Sequence, residues 1–342
     1  MNDTKPENLV ARIEEASTPA QKLKRLLGNQ EAMLIVVYAL MVLVFSLLNP
    51  RYFSTAAFGN ILQDFGPIML MATGMTFVII TGGIDLSVGS LAGLSGVCAA
   101  LTIRATTANG MAPALSILLG ILTALCVGAI VGTINGLLIT KVGLAPFIAT
   151  LATMGACTGS TLVITGGVQI AGAPSAVVQI GNTRFLGILT WPLVGVLLIL
   201  VSFALILVKT KFGRHTYAIG SNTFAARVAG INVNKHLMKV YLIASLLASL
   251  AGMFVYFRLG SGSPATGKGG ELQAIAAVVI GGAAMTGGSG RVTGTALGAL
   301  ITTSVLSGLI LVGVEPNAQQ IVVGALIAFA VAVQTMGQKN KD

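Results

Sequence analysis

Two acidic residues stand beside long apolar stretches and are the first candidates for chemistry. Asp85 precedes the apolar run that starts at Leu86, and Glu271 opens the segment ELQAIAAVVIGG. An ionisable side chain in or beside a membrane segment is costly to bury, so both carboxylates are candidates for a transport path. Asp is also a favoured N-cap, so Asp85 could instead cap the helix that begins at Leu86. Glu271 could equally lie at the outer membrane interface.

Two motifs have the spacing of reactive sites but lack residues that such sites need. The stretch GSPATGKG at 262–269 is spaced like a phosphate-binding loop, yet Gly269 replaces the magnesium-binding Ser or Thr and no strand is predicted before it. The GLSG motif around Ser95 would need a nearby histidine base, whereas His215 and His236 lie in or beside a polar loop. The sequence also has no His, Cys, Asp and Glu cluster at metal-ligand spacing. It therefore predicts no catalytic residue, metal site or cofactor, and any ATP would be bound by another chain.

The composition is that of a membrane protein. Of the 342 residues, 55% are hydrophobic and 9% are charged, and the mean hydropathy is +0.91, whereas soluble domains carry roughly 25% charged residues. The 43 glycines suit membrane helices, in which small residues let backbones approach closely. The net charge of +10 comes from residues scattered between apolar stretches, which argues against nucleic-acid binding.

Apolar runs predict an all-α polytopic membrane protein with about ten transmembrane helices, since one crossing needs about 20 apolar residues. The runs are 32–48, 63–81, 86–104, 113–139, 144–165, 190–208, 237–257, 271–286, 293–312 and 317–336. The run 271–286 is short, and it could be a broken or re-entrant element. The predicted organisation is an N-terminal cytoplasmic segment at 1–31, a transmembrane domain at 32–336 and a cytoplasmic tail at 337–342.

The positions of lysine and arginine predict the orientation. Ten spans place both termini on one side, and that side then holds fifteen of the basic residues while the other side holds five. Because cytoplasmic loops retain positive charge, both termini are expected in the cytoplasm. The stretch 166–189 then becomes an outer loop that is long enough to bind a partner.

The inner segment 209–236 contains a predicted short helix. Asn222 can cap a helix over 223–229, which Gly230 would end. A capped helix projecting from the membrane indicates a docking element for a partner, and the alternative is an ordinary solvated loop.

One glycine-rich motif occurs twice. TGGIDLSVGSLAG at 81–93 matches TGGSGRVTGTALG at 286–298 in one threonine and four glycines, and each follows one apolar run and opens another. Such echoes are typical of transporters built from repeats with glycine-interrupted helices, where the interruptions mark the transport path. Coincidence is the alternative in a chain so rich in glycine. Asp85 has Gly290 as its counterpart, so only the first copy carries an acid.

Several long motifs, in this order, resemble bacterial ribose-type permeases of ABC transporters. They are GGIDLSVGS at 82–90, FIATLATM at 147–154, GSNTFAARVAGINV at 220–233, and ELQAIAAVVIGG with GGSGRVTGTALGALI between 271 and 301. The resemblance covers about residues 32–335. It implies a multi-pass subunit of the bacterial inner membrane that passes ribose or a related monosaccharide through a homodimer or heterodimer. It also implies a separate pair of cytoplasmic ATP-binding subunits and an external sugar-binding protein.

The resemblance also assigns roles to particular residues. The residues that it places in the segment docking on the ATP-binding subunits are Gly220, Ser221, Asn222, Ala225, Ala226, Arg227, Gly230 and Ile231. The residues that match the signature beside the translocation path are Gly82, Gly83, Asp85, Ser87 and Gly89, with Glu271 as a further candidate. The family pattern usually has Asp where this chain has Gln273, which leaves Glu271 as the neighbouring acid.

Other functions remain open at this point. A permease for branched-chain amino acids would share the broad architecture, although the long sugar-type motifs argue against it. An ion-coupled carrier often keeps paired ionisable residues in its helices, whereas Asp85 and Glu271 have no evident intramembrane partner. An intramembrane enzyme is disfavoured by the positions of the histidines.

Overall fold

A computed structural model describes residues 30–339. Residues 1–29 of the segment predicted over 1–31, and residues 340–342 of the tail predicted over 337–342, therefore lie outside the described residues. The described chain forms helices α1 Gln30–Leu48, α2 Thr55–Ile80, α3 Val88–Ala108, α4 Pro113–Leu137, α5 Pro146–Thr165, α6 Ser175–Asn182, α7 Trp191–Lys209, α8 Lys211–Ser221, α9 Thr223–Val228, α10 Val233–Leu259, α11 Gly270–Ile280, α12 Val292–Leu311 and α13 Pro316–Lys339. A 3₁₀ turn at Pro50–Tyr52 precedes α2, and a π-helical turn at Leu138–Val142 extends α4. No strand occurs in the described part, which confirms the all-α prediction.

The ten predicted spans all correspond to helices. Eight helices of the described residues are long and apolar enough to cross a membrane, and α11 is a shorter apolar helix. The main difference is that α2 begins at Thr55, eight residues before the predicted start at 63. Its first turns are polar but paired: Asn60 accepts a hydrogen bond from Arg184 at 2.7 Å, and Asp64 forms an ion pair with Arg258. Such pairing offsets the cost of polar groups in this region.

Helix α10 is the centre of the bundle and packs against α2, α3 and α4. It runs antiparallel to α2, because Gly66 lies against Phe254 while Gly74 lies against the backbone of Ala244. Small residues at such contacts let two helix backbones approach closely, which drives helix association where lipid supplies no hydrophobic force. The small-residue pattern of the sequence is thus used mainly around α10.

Two connections between neighbouring spans are non-helical. Residues 81–87 leave the helix after α2 and α3 begins at Val88; residues 260–269 do the same after α10 and α11 begins at Gly270. Since α2 and α10 are antiparallel, the unit of helix, non-helical segment and helix recurs in inverted orientation. The short run 271–286 is helical only over Gly270–Ile280, and a turn at 281–291 separates α11 from α12.

The two echoing glycine motifs meet at one end of the bundle. Gly82 and Gly287 occupy corresponding positions and both have positive φ, +80° and +88°. The amide of Gly288, in the second motif, donates to the carbonyl of Ile80, the last residue of α2, at 2.8 Å. The turn of the second motif therefore caps the helix that leads into the first motif. The two motifs precede α3 and α12, whereas the inverted structural repeat relates α2 and α3 to α10 and α11. The sequence similarity of the motifs therefore corresponds to two turns that contact each other and not to the structural repeat.

Gly252→Val should destabilise the bundle because a Cβ there would overlap the carbonyl oxygen of Ala92 in α3. Overpacking of a well-packed site typically costs about 1–3 kcal/mol. We expect the detergent-purified variant to have a lower melting temperature than the wild type, measured with a fluorescent dye that reports unfolding without reacting with thiols. Gly195→Val in α7 is the matched control, since a Cβ there meets nothing within 4 Å. Equal melting temperatures for the two variants would contradict this packing.

Candidate translocation site

Helices α3 and α11 both begin inside the bundle, and their first turns touch. A Cβ at Gly89 would overlap a carboxylate oxygen of Glu271 and the carbonyl of Gly267, so this contact requires glycine. Gly270 lies beside the side chain of Met71. Met71 is nine residues before the end of the 26-residue helix α2, which is about 14 Å at the α-helical rise of about 1.5 Å per residue. The two helices therefore meet inside the bundle, about one third of the way along α2 from its C-terminal end.

The non-helical segment 262–269, which forms consecutive turns, leads to this junction along α3. Gly262 lies beside Ala100, Gly93 beside the carbonyl of Thr266, and Gly89 beside Gly267. The segment with phosphate-loop spacing thus runs antiparallel to α3 and occupies the half of the span that α11 leaves empty. Non-helical backbone at such depth is tolerated only where protein covers it or it lines a water-filled cavity.

Two cavities lie on opposite sides of this segment. The first, of about 440 Å³, lies between α3, α5 and the segment, and its polar lining is Ser90, Thr158, Thr161, Thr266, Lys268 and Glu271. The second, of about 290 Å³, lies between α2, α10 and α12, where Asp64, Arg258 and Gln273 line it. Thr266 and Lys268 line both, so residues 266–268 form the partition between the two cavities.

Asp85 lies behind the junction in a buried polar network. Its Oδ1 accepts from the backbone N–H of Ser87 at 2.9 Å and from the Ser87 hydroxyl at 2.6 Å. The side-chain amide nitrogen of Asn135 donates to the Ser87 hydroxyl at 3.0 Å, and the Thr153 hydroxyl donates to the side-chain oxygen of Asn135 at 2.7 Å. The network therefore joins the start of α3 to α4 and α5.

The structure corrects the expectation that Asp85 caps a helix starting at Leu86. Helix α3 begins at Val88, so Ser87 takes the N-cap position and Asp85 instead forms a turn with the backbone of Ser87. Asp85 is fully buried, and its Oδ2 has no hydrogen-bond partner among the described residues. A carboxyl group with one oxygen left unpartnered is expensive, which favours a role beyond capping.

The six path candidates separate into three places. Gly89 and Glu271 form the junction, and Asp85 with Ser87 forms the network behind it. Gly82 and Gly83 lie farther away, at the end of α2, where Gly82 is close to the carbonyl of Thr286. The motif is thus continuous in sequence but is spread over a turn, a network and a helix start.

Sequence reasoning missed Asn135 and Tyr241. Asn135 is a buried amide within the apolar run 113–139, and that polarity was the available signal. The Tyr241 hydroxyl lies against Gly83 and has no hydrogen-bond partner among the described residues. No sequence signal places it there, because the contact depends on how α10 packs against the turn after α2.

The proposed docking residues form a compact element on one side of the bundle. The Asn222 side chain accepts from the amide of Ala225 at 2.9 Å and caps α9, and Gly230 follows the helix with φ +81°. This confirms the capped helix, which ends at Val228. Ala226, within this helix, is buried, and the backbone amide of Ile231 donates to its carbonyl at 3.0 Å.

The remaining docking residues have different environments. Ala225 and Arg227 are exposed, whereas Gly220 and Ser221 end α8, and Gly220 touches Ile80 and Gly288. Sequence reasoning missed the two most prominent side chains of α9. Phe224 and Val228 lie four residues apart and are 76% and 75% exposed. The α9 helix therefore presents two apolar side chains away from the bundle.

Comparison with known proteins agrees with this architecture. Residues 57–331 match the family described as branched-chain amino acid transport system / permease component. The ribose import permease protein of Bacillus subtilis (strain 168) is 44% identical over 85% of this chain and 88% of its own length. The ribose import permease protein of Escherichia coli (strain K12) is 39% identical over 89% of this chain and 93% of its own. The fructose import permease protein of Rhizobium meliloti is 34% identical over 92% and 88% respectively.

No solved structure matches the chain. The family match covers most of the sequence, and the relatives align over nearly their whole length. Together with the apolar helices, these findings show that the chain belongs to this permease family and is a multi-pass inner-membrane subunit of a bacterial ATP-binding-cassette importer.

Proposed function

We propose that this subunit carries a monosaccharide, ribose or a closely related sugar, into the cytoplasm. The relatives described above are named for ribose and fructose import, and none of those three is named for an amino acid. A branched-chain amino acid remains the second candidate only through the family description.

The junction of α3 and α11 is the observation that carries the proposal. Half-helix ends near the middle of the bundle are typical of substrate sites in transporters. The adjoining cavity offers the hydroxyls of Ser90, Thr158 and Thr161 and the carboxylate of Glu271. Hydroxyl groups donate to and accept from sugar hydroxyls, and a carboxylate accepts from them. We therefore assign Gly89 and Glu271 to the translocation path.

The remaining path candidates act through position. Asp85 and Ser87 hold the start of α3 against α4 and α5 through the network with Asn135. Gly82 and Gly83 form the turn that connects α2 to this segment. A change at the turn would therefore shift the start of α3, and with it Gly89.

Three kinds of partner complete the proposed importer. Two cytoplasmic ATP-binding subunits would receive α9 through the apolar side chains of Phe224 and Val228, with Arg227 beside them. A second permease subunit, identical or related, would complete the path, and an external sugar-binding protein would deliver the cargo. The excess of basic residues on one side supports a cytoplasmic position for both termini and α9.

Transport would proceed by alternating access. Closure of the ATP-binding subunits moves the segment from α8 to α9, which is covalently continuous with α7 and α10. That movement rocks the helices beside Asp85 and Glu271 and opens the junction to one side at a time. The non-helical segment 262–269 supplies the part that can move without breaking helical hydrogen bonds.

Sugar uptake tests the proposed function directly. Membrane vesicles containing this chain should take up radiolabelled ribose only with the cognate ATP-binding subunits, the external sugar-binding protein and ATP. Omitting each partner in turn is the control. Uptake by this chain alone under an ion gradient would favour a secondary carrier, and uptake of radiolabelled leucine in place of ribose by the complete system would favour an amino-acid importer.

Asp85→Asn tests whether the buried carboxyl group is needed for transport. The variant keeps an acceptor for Ser87 but replaces the unpartnered Oδ2 with an amide nitrogen, which cannot accept a hydrogen bond. We expect ribose uptake to fall about tenfold, the size expected when a buried polar group loses its hydrogen-bonding partner. The complex should still copurify. Unchanged uptake by a normally assembled complex would reduce Asp85 to a part of the turn before α3.

Phe224→Ser tests the docking surface of α9. Removing a large exposed side chain should leave the fold intact but weaken binding to the ATP-binding subunits, because aromatic anchors carry much of the affinity at interfaces. Copurification from detergent should fall about tenfold or more. Phe53→Ser is the control, because Phe53 is 79% exposed and lies outside α9. Equal recovery of the ATP-binding subunits with both variants would exclude Phe224 as an anchor.

A further inference from the structure

Helix α8 lies between α9, the proposed docking helix, and the two glycine turns at 81–83 and 286–290. Only Asn222 separates α8 from α9, and its amide donates back to the carbonyl of Ala218 at 3.1 Å. The Thr223 hydroxyl donates to the carbonyl of Ile219 at 3.0 Å. The two short helices are therefore hydrogen-bonded across their connection, and a displacement of α9 is passed to α8.

The last turn of α8 fits closely against the end of α2. A Cβ at Gly220 would overlap the carbonyl oxygen of Ile80 and would crowd the amide of Gly288. That amide donates to the same Ile80 carbonyl at 2.8 Å. Ser221 also packs against Gly288. Three backbone segments, the ends of α8 and α2 and the turn at 286–290, thus meet at one point.

A side chain connects α8 to the same turn. The Tyr217 hydroxyl donates to the carbonyl of Gly290 at 2.7 Å. Burial raises the pKa of the Tyr217 phenol above its usual value, although the nearby Arg291 charge opposes the shift. The phenol therefore keeps its proton and remains a donor at physiological pH. Gly290 lies two residues before the first residue of α12, so this bond ties α8 to the start of α12.

Two stretches of the chain connect this meeting point to the junction of α3 and α11. From Ile80 the chain runs through Gly82 and the Asp85 turn to Gly89. From Gly290 it runs into α12, whose residues Gly294 and Gly298 lie against the backbones of Gly281 and Ala277 at the end of α11. Both helices whose starts form the junction, α3 and α11, are therefore linked to α8 through short contacts.

We propose that Tyr217 is a positioning residue that transmits movement of α9 to the α3–α11 junction, through its hydrogen bond to the Gly290 carbonyl. The inference rests on the proposed function, because it assumes that α9 docks on the ATP-binding subunits. It assigns no contact between Tyr217 and the sugar. Its specific consequence is that loss of the bond separates ATP hydrolysis from sugar movement.

The test uses the assembled complex in proteoliposomes, with ribose uptake and ATP hydrolysis measured in the same vesicles. Tyr217→Phe keeps the ring and removes only the bonding oxygen. We expect ATP hydrolysis close to wild type and about fivefold less ribose taken up per ATP, the size expected from one lost hydrogen bond. Tyr38→Phe is the matched control, because its buried hydroxyl in α1 has no hydrogen-bond partner among the described residues.

The outcomes separate this proposal from the function on which it rests. If wild type takes up no ribose, the proposed function fails. If wild type transports and Tyr217→Phe takes up as much ribose per ATP as Tyr38→Phe, transmission through Tyr217 is overturned while the importer stands. A second variant, Tyr217→Leu, also removes the hydroxyl that bonds Gly290. It decides the question if Tyr217→Phe does not assemble, and an unchanged ratio with it would overturn the proposal.

Discussion

The central constraint on this protein is that backbone cannot leave the helix inside a membrane unless protein or a water-filled cavity surrounds it. Helices α3 and α11 nevertheless start about one third of the way into the bundle from the end of α2, each after a non-helical segment. Asn135 of α4 and Thr150 of α5 hydrogen-bond residues of the first segment, and the second lies against α3. The architecture of the bundle is therefore the condition that lets two helix ends and their polar neighbours meet within the apolar region.

Close packing at α10 makes this arrangement possible. Glycines on α2, α3 and α4 lie directly against the backbone or small side chains of α10. Without a hydrophobic force between helices in lipid, such contacts supply most of the association energy. They also leave room for the segment 262–269 to pass along α3. That segment separates two cavities, so a small movement of it would change the size of both.

The contacts also explain how events at the cytoplasmic surface could reach the centre of the bundle. The exposed helix α9 is joined to α8 by hydrogen bonds from the Asn222 amide and the Thr223 hydroxyl. Helix α8 is joined to the turn at 286–290 by the Tyr217 hydroxyl and by the close packing of Gly220 against Gly288. Backbone contacts at glycine leave little freedom for one element to move without the next. Packed interfaces of this kind tend to switch between discrete arrangements instead of deforming continuously.

Much of the architecture could be predicted from the sequence, because long apolar runs have few alternatives to a membrane helix. The ten spans, the break near Gly270 and the helix capped by Asn222 all follow from local composition and capping chemistry. So does the expectation that Asp85 and Glu271 matter, since isolated acids in apolar stretches are conspicuous. The true start of α2 was missed because its polar residues are paired with Arg184 and Arg258, which are distant in sequence.

Only the tertiary structure decided which of these residues belong together. The motif from Gly82 to Gly89 is continuous in sequence, yet its members serve a turn, a buried network and a helix junction. The contacts of Gly89 with Glu271, of Ser87 with Asn135 and of Tyr217 with Gly290 each join residues between about 50 and 180 positions apart. Local propensity carries no information about such pairs. They depend on how the helices pack around α10, and packing is a property of the whole bundle rather than of any one segment.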